Sequence, residues 1–576
     1  AGATAGAGAG QPVPYQYVAK AYTELLGRAP RPAEWSAAVA YFRRTGCSVA
    51  TLRRFGEALV GSAEYRRDYP VGGAAGGGDA AAVVLTLYRF VLNREPDPAG
   101  FVAARDAIEA GTAGPRAVAG RLFDSAEFAG MTAPAICNPS SPGYFFGQPG
   151  NWTAYPAAQT PSRGSPGPDA TEAGLQASLD AASADGGGVV ALPRREVTGL
   201  TTTLVVPGNV TLTTAGDPDP DRYAQMARLA RLPGFSGLPG YPGMELVRLQ
   251  PGARLVHVWV DGQRDAPDPN SFLVFDVRML GGHGTTVADD RLGNTYGAST
   301  LEDDGASAGV PGGAPCRANV VSDNLVEAYS SAHVDQPGQP GTDHPQADGL
   351  GIYCTHTQVR GNDIVDVSDT AVALFDGASG LASTPPQLSD VSHNVIVSAG
   401  SSYSFGIVTD PSYSLHDGLY PGGDPPGVVS RRFSAGGRST TISDNVLWSG
   451  DRTHFDVLLS SGTHDLFGST VHQNCSIPNA TDQATCGGGR NATAARWTGN
   501  TSDGLPVHVE IGLYVGGTTG TVATGNRFPH LVEVDGGTCP AHPEVVAAGF
   551  APGTHIPGHP FLDTALASDS CVNPRF

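Results

Sequence analysis

Five short runs share one pattern: Ser322-Asp-Asn324-Leu-Val, Arg360-Gly-Asn362-Asp-Ile-Val, Ser392-His-Asn394-Val-Ile-Val, Ser443-Asp-Asn445-Val-Leu and Thr524-Gly-Asn526-Arg-Phe. Each is a turn that ends in Asn and opens a short apolar strand. A strand that keeps returning stacks on itself as a parallel coil, with equivalent positions one strand spacing, roughly 4.8 Å, apart. Asn suits the corner because it tolerates the left-handed conformation and its amide can bond from coil to coil. These Asn residues are therefore read as structural. The first four are separated by 38, 32 and 51 residues, more than one coil, so loops are expected at 330–347, 376–387 and 409–438. One coil is legible in full. Leu350/Ile352 and Val372/Leu374 lie 22 residues apart, with a second strand-like run, Thr357–Val365, between them.

Composition agrees with many short strands: 78 Gly, 46 Pro and only 16% charged residues in 576. The net charge of −20 argues against a nucleic-acid or anionic-membrane partner. It also disfavours a polyanionic substrate unless a local Arg patch overrides the global field, so a neutral polymer fits better. Of the eight cysteines none forms paired Cys-x-x-Cys motifs, so no structural metal site is expected. Disulfides are expected instead, with Cys475–Cys486 and Cys539–Cys571 as the local pairs, and with them an oxidising compartment. The first residue is Ala1, which reads as a mature secreted or cell-surface bacterial protein. No apolar run is long enough to span a membrane. Six Asn-x-Ser/Thr sequons, at Asn151, Asn209, Asn474, Asn479, Asn491 and Asn500, matter only in a host that glycosylates.

Five segments are expected: a disordered tail (1–15), a helical accessory domain (16–130), a linker (131–168), a parallel β-helix catalytic domain (169–535) and an irregular C-terminal tail (536–576). In the second, Tyr22, Leu26, Arg28, Pro30, Pro32 and Trp35 recur as Tyr88, Leu92, Arg94, Pro96, Pro98 and Phe101 at a constant offset, and Ser62-Ala-Glu64-Tyr65 recurs as Ser125-Ala-Glu127-Phe128. Each unit reads as a helix ending at Arg-x-Pro, a helix carrying the aromatic and a last helix capped by the Ser-x-Glu turn. The pattern resembles a small helical domain of unknown function found in bacterial secreted proteins, which implies an accessory or cell-surface docking role. Its residues are read as core packing and caps.

A helical stretch with Leu175 and Leu179 precedes Gly186-Gly-Gly-Val-Val-Ala-Leu-Pro193 and Thr203-Leu-Val-Val-Pro-Gly. A capping helix, a Gly turn and short strands ending in Pro resemble the entrance of right-handed parallel β-helices of the pectin-lyase type. The implied fold class is mainly β: a right-handed parallel β-helix (solenoid) with an N-terminal small all-α domain. Residues 217–245 break the period and read as an insertion containing a helical Gln225–Arg231.

Glycosidic hydrolysis needs a proton donor and a second carboxylate. Adjacent coils can supply both, and mutual repulsion with burial raises one pKa to make the acid. Asp348 and Asp369 are 21 residues apart, so a 22-residue register makes them neighbours one residue out of phase. Ala-Asp348-Gly followed by Asp369 resembles the polygalacturonase-type glycosidases, in which an Asn-x-Asp motif precedes an Asp-Asp pair by the same interval. Asp348 carries over to the first motif's Asp and Asp369 to the first member of the pair. Thr370 stands where the second member belongs, and neither the following Gly-His nor Arg-x-Lys is present. A further acidic ladder, Asp376 on Asp410, follows from aligning Ala371–Asp376 with Phe405–Asp410.

The expected catalytic residues are Asp348, Asp369 and Asp376. His344, Tyr353, Arg360 and Asp410 are expected to bind substrate. No cofactor is expected, although His333, Asp335, Asp343 and His344 could bind sugar or a cation such as Ca²⁺. The reading is a glycoside hydrolase acting on a neutral polysaccharide or oligosaccharide. A β-eliminating lyase and a non-catalytic glycan-binding surface protein stay open as alternatives.

Overall fold

The computed structural model describes residues 12–71, 79–138, 171–533 and 570–572, except for 233, 238–244, 264–274, 281, 296–298, 305–315, 328–347, 368, 376–386, 401–402, 411–432, 462–491, 494, 516–517 and 520–521. The chain divides into two compact units, one holding the N-terminal helices and the other the rest. No helix among the described residues is long and apolar enough to cross a membrane.

The first unit contains α1 (Tyr15–Leu26), α2 (Pro32–Thr45), α3 (Val49–Val60), α4 (Ala63–Asp68), α5 (Ala80–Leu92), α6 (Pro98–Glu109), α7 (Pro115–Phe123) and α8 (Ala126–Met131). Each repeat thus has four helices, one more than expected. The repeated residues do the same work twice. Arg28 pairs with Glu64 at 2.8 Å and lies 5.4 Å over the Tyr22 ring, while Arg94 pairs with Glu127 at 2.6 Å and lies 5.4 Å over Tyr88. Ser62 and Ser125 cap α4 and α8 by accepting the backbone N–H three residues on. A disulfide joins Cys47, just past α2, to Cys137.

The second unit is a solenoid. Most coils contribute one short strand to each of three sheets, and neighbouring coils pair in parallel. Apolar residues stack in columns: Leu255, Val287, Val321, Val359 and Val391 in the first sheet, Val260, Leu292, Val326 and Ile364 in the second, Leu301, Leu350, Val372 and Ile407 in the third. All are fully buried. Helix α9 (Glu172–Ala184) closes the N-terminal end. It buries Leu175 and Leu179, and the Gln176 amide bonds both the N–H and the C=O of Val205, groups of an edge strand that no further coil can pair. At the other end Ser570–Val572, in the expected irregular tail, pairs antiparallel with Val507–Val515.

The corner between the first and second sheets carries the Asn ladder. Asn324, Asn362, Asn394, Asn445, Asn500 and Asn526 are almost completely buried, and each Nδ2 donates to the Oδ1 of the next at 2.7–2.9 Å. The residue before each adopts positive φ, as at Asp323, Gly361, His393 and Asp444. At Gly361 a Cβ would also meet the Asp323 carboxylate at 2.4 Å, so glycine is required there. Asn500 belongs to the ladder although its turn escaped the sequence pattern. One coil earlier the slot holds Asp290, whose N–H donates to Asn324 Oδ1 and whose Oδ1 accepts from Val258 N. Burial pushes the Asp290 carboxyl well above the usual carboxylate range.

Folding therefore holds a proton on Asp290 that the unfolded chain releases near pH 4. The contribution is complete below that pH and is lost as pH rises toward the folded-state pKa. Asp290→Asn should raise the melting temperature of the solenoid at neutral pH and remove this residue's share of the decline, measured by calorimetry across pH.

Residues 227–231 form a strand of the second sheet, not the expected helix. Arg228, Trp259 and Arg291 stack on successive coils, nearly fully buried. The Arg228 guanidinium lies 3.8 Å over Trp259, Arg291 lies 3.7 Å over Tyr223 of the short 3₁₀ turn Pro220–Gln225, and Asp261 and Glu327 neutralise the two arginines. Arg228 and Arg231 mimic an amphipathic helix in spacing, but cation–π stacking and sheet pairing decide the outcome.

Candidate active site

In the third sheet Leu350, Ile352, Val372 and Leu374 point into the solenoid, so Gly351 and Ala373 between them face outward. The alternation slips at the start of the strand. A Cβ on Gly349 would meet Ile364 Cγ2 at 3.2 Å, and one on Gly406 would meet Leu447 Cδ2 at 3.0 Å, both core side chains of the second sheet. Position 349 therefore points inward as well as 350, which turns Asp348 outward. The register of Leu350 on Val372 puts Asp348 opposite Thr370, and Thr370 N donates to Asp348 Oδ1 at 2.9 Å. Asp369 precedes Thr370 and is staggered from Asp348 by one residue, as the 22-residue period required.

Asp348 and Asp369 are both partly exposed, yet protein closely surrounds the Asp348 carboxyl. Burial pushes its pKa well above the usual carboxylate range, and the Asp369 charge pushes it the same way. The Thr370 N–H opposes the shift, and a third carboxylate, Glu302, adds to it. Glu302 pairs in register with Gly351 on the outward face and is largely buried. Its strand, Ser299–Asp304, went unrecognised in the sequence because Glu302, Asp303 and Asp304 mask the apolar alternation.

Tyr353 and Phe375 stack at 4.3 Å, and with Ala373 and Val408 they form a buried cluster against which Phe405 packs. Tyr353 thus directly follows the strand Asp348–Ile352, but its ring is packed. Arg360 is exposed at the end of a first-sheet strand, beside the ladder corner. The strand Asp363–Val365 separates it from Asp369, so it faces another side of the solenoid and is not brought to the acid pair. The Asp376–Asp410 ladder also needs correction. Thr370 pairs with Phe405 and Phe375 with Asp410, a register one residue from the expected one, and such a shift takes a side chain to the opposite face. Asp376, His344, His333, Asp335 and Asp343 lie outside the described residues, as do Cys475, Cys486 and Cys539. Among the described residues no group of three His, Cys, Asp or Glu is placed to hold a metal ion.

Two residues hold the turn that carries Asp369. The Asp366 carboxylate accepts from Ala399 N and Gly400 N of the next coil at 2.7 and 2.8 Å. The buried Tyr403 hydroxyl donates to Val397 O at 2.7 Å and accepts from Val367 N at 3.1 Å. Tyr403→Phe strands the Val367 N–H and should cost about 1–3 kcal/mol of stability. Loosening the turn moves the Asp369 charge away, so the Asp348 carboxyl should titrate lower in the variant when followed by carboxyl carbon NMR.

No protein-family model matches the chain, and no curated protein matches it. Solved structures similar to it include the tailspike protein of E. coli bacteriophage HK620 in complex with pentasaccharide, at 14% identity and TM-score 0.34, covering 68% of this chain and 65% of that one. A double mutant of the same tailspike gives 13% identity and TM-score 0.35 with the same coverage. The chain thus spans less than two thirds of the tailspike's length.

Proposed function

We propose that this protein is a secreted glycoside hydrolase that cleaves a neutral polysaccharide, with Asp348 as the general acid and Asp369 as the general base. The observation that carries the reading is the Asp348 carboxyl, kept protonated above the usual carboxylate range by burial and by an acidic neighbour on the adjacent coil. A carboxylic acid whose pKa is raised can donate to a glycosidic oxygen, and a second carboxylate beside it can take a proton from water. Asp369 lies near enough for its charge to raise the Asp348 pKa, so both carboxyls can act on one glycosidic bond, and inversion is the stereochemistry proposed. Glu302 holds the field negative and assists Asp348 in keeping its proton. The disulfides Cys47–Cys137 and Cys316–Cys354 support an oxidising, extracytoplasmic location. The helical unit serves as a docking module on the same reading.

The test is incubation of the full chain with a panel of neutral and acidic polysaccharides, following new reducing ends, the ultraviolet absorbance of unsaturated products and the anomer first released. Reducing ends without absorbance, from a neutral polymer and with inverted anomer, are the expected result. An absorbance rise would reassign the protein as a β-eliminating lyase. Binding without any product would make it a glycan-binding protein and leave Asp348 as a buried turn former.

A further inference from the structure

We propose that the outward edge of the first sheet, at the corner where third-sheet strands turn into it, is a docking track for an anionic polysaccharide chain lying along the solenoid axis. Arg254, His283, Arg317, His356, Arg438 and Arg496 carry it, and all six are exposed. Pairing fixes their alignment. Arg254 and Arg496 stand in one column that runs through Thr286, Val320, Gln358, Asp390 and Thr441, while His283, Arg317 and Thr355 bridge in parallel on successive coils with His356 next to the last. Arg438 lies in the hairpin Ser434–Ser439 that leads into the strand of Thr441. Positive charge from the arginines therefore recurs along the axis at multiples of one coil, about 4.8 Å.

None of the six makes an ion pair among the described residues. Asp390 is the single carboxylate among the described residues of these columns, and the Thr441 hydroxyl bonds it at 2.9 Å. In a chain of net charge −20 such an edge is a local reversal of sign. It is also rigid: the disulfide Cys316–Cys354 ties the residues just before Arg317 and Thr355, and Ala318 and His356 sit at positive φ. Burial together with Arg438 and Arg317 lowers the His356 pKa, so the arginines carry the charge here and His356 adds a polar ring between them.

The neighbours choose among polyanions. Thr286, Gln358 and Thr441 offer hydroxyls and an amide to a hydroxylated chain, and no aromatic residue stands among the described positions of these columns to stack on a base. The track lies apart from the third-sheet acid pair, so the docked polymer is distinct from the one cleaved.

The test compares dextran sulfate with dextran, and with duplex DNA, as ligands of the full-length protein by calorimetry at two salt concentrations. The expected result is binding of dextran sulfate alone, weakening steeply with salt. The double variant Arg317→Gln/Arg438→Gln should weaken it about tenfold and reduce the slope of log K against log salt by about two. Arg66→Gln, on the helical unit, should leave it unchanged. Because the substituted side chains are exposed, the thermal transition should not move. Equal binding of dextran, DNA bound as tightly as dextran sulfate, or wild-type affinity in the double variant would each overturn the proposal.

Discussion

Asp348→Asn should remove turnover, with kcat falling by about 10²–10⁴-fold, while the solenoid becomes more stable. The first effect follows from the role of the proton. An amide cannot donate to a leaving oxygen with a carboxylic acid's ease, and positioned proton transfer contributes about that much to rate. The second follows from burial. The Asp348 carboxyl is pushed well above the usual range, so ionising it within the fold is unfavourable. Asn keeps an oxygen for the Thr370 N–H at the same place and never ionises.

The pH dependence has a definite sign. Activity should fall at high pH as Asp348 loses its proton, and that limb lies above the usual carboxylate range. Asp369→Asn should also abolish turnover and, with the neighbouring charge gone, lower the Asp348 titration. Steady-state kinetics, calorimetry and carboxyl NMR on the two variants check all of this. If Asp348→Asn retained wild-type kcat, the acid assignment would be wrong.

Breaking the Asn ladder at its middle should be the most damaging change to the fold. Asn394 Nδ2 donates to Val359 O at 3.0 Å and to Asn445 Oδ1 at 2.9 Å, and its Oδ1 accepts from both N and Nδ2 of Asn362. Asn394→Ala deletes four bonds at a fully buried site and strands partners on both neighbouring coils. At roughly 1 kcal/mol per bond the loss is about 4 kcal/mol. Because solenoid coils contact only their neighbours, the damage should be local. Hydrogen exchange should rise in the coils of Asn362 and Asn445 before it rises near α9. Uniform loss of protection would instead mean that the solenoid unfolds as one unit.

Much of this architecture was legible because the informative residues sit where side-chain chemistry and backbone conformation coincide. An Asn after a residue of positive φ, followed by aliphatics, marks a corner on its own, and the Leu350–Val372 register follows from one 22-residue recurrence. Asn500 was hidden because Thr-Ser-Asp follows it, not an apolar strand. Asp290 was hidden because the ladder accepts an acid at its first rung. The one-residue stagger of Asp369 from Asp348 could be read from its spacing. Glu302 could not, since its membership of the site depends on a pairing partner 49 residues further on, Gly351. The Asp410 alignment failed by one residue because the alternation slips at the start of these strands, and a Gly facing inward leaves no hydrophobic signal to count.

Successive rungs of the ladder are separated by 38, 32, 51, 55 and 26 residues, yet every rung closes with nearly the same bond. Each Asn resets the frame after whatever was inserted before it. Inserted segments can then lengthen, shorten or be exchanged in evolution or by design without disturbing the next coil. Binding preference in such a molecule can change by recombination of whole segments, while the acid pair, placed by register alone, is inherited intact.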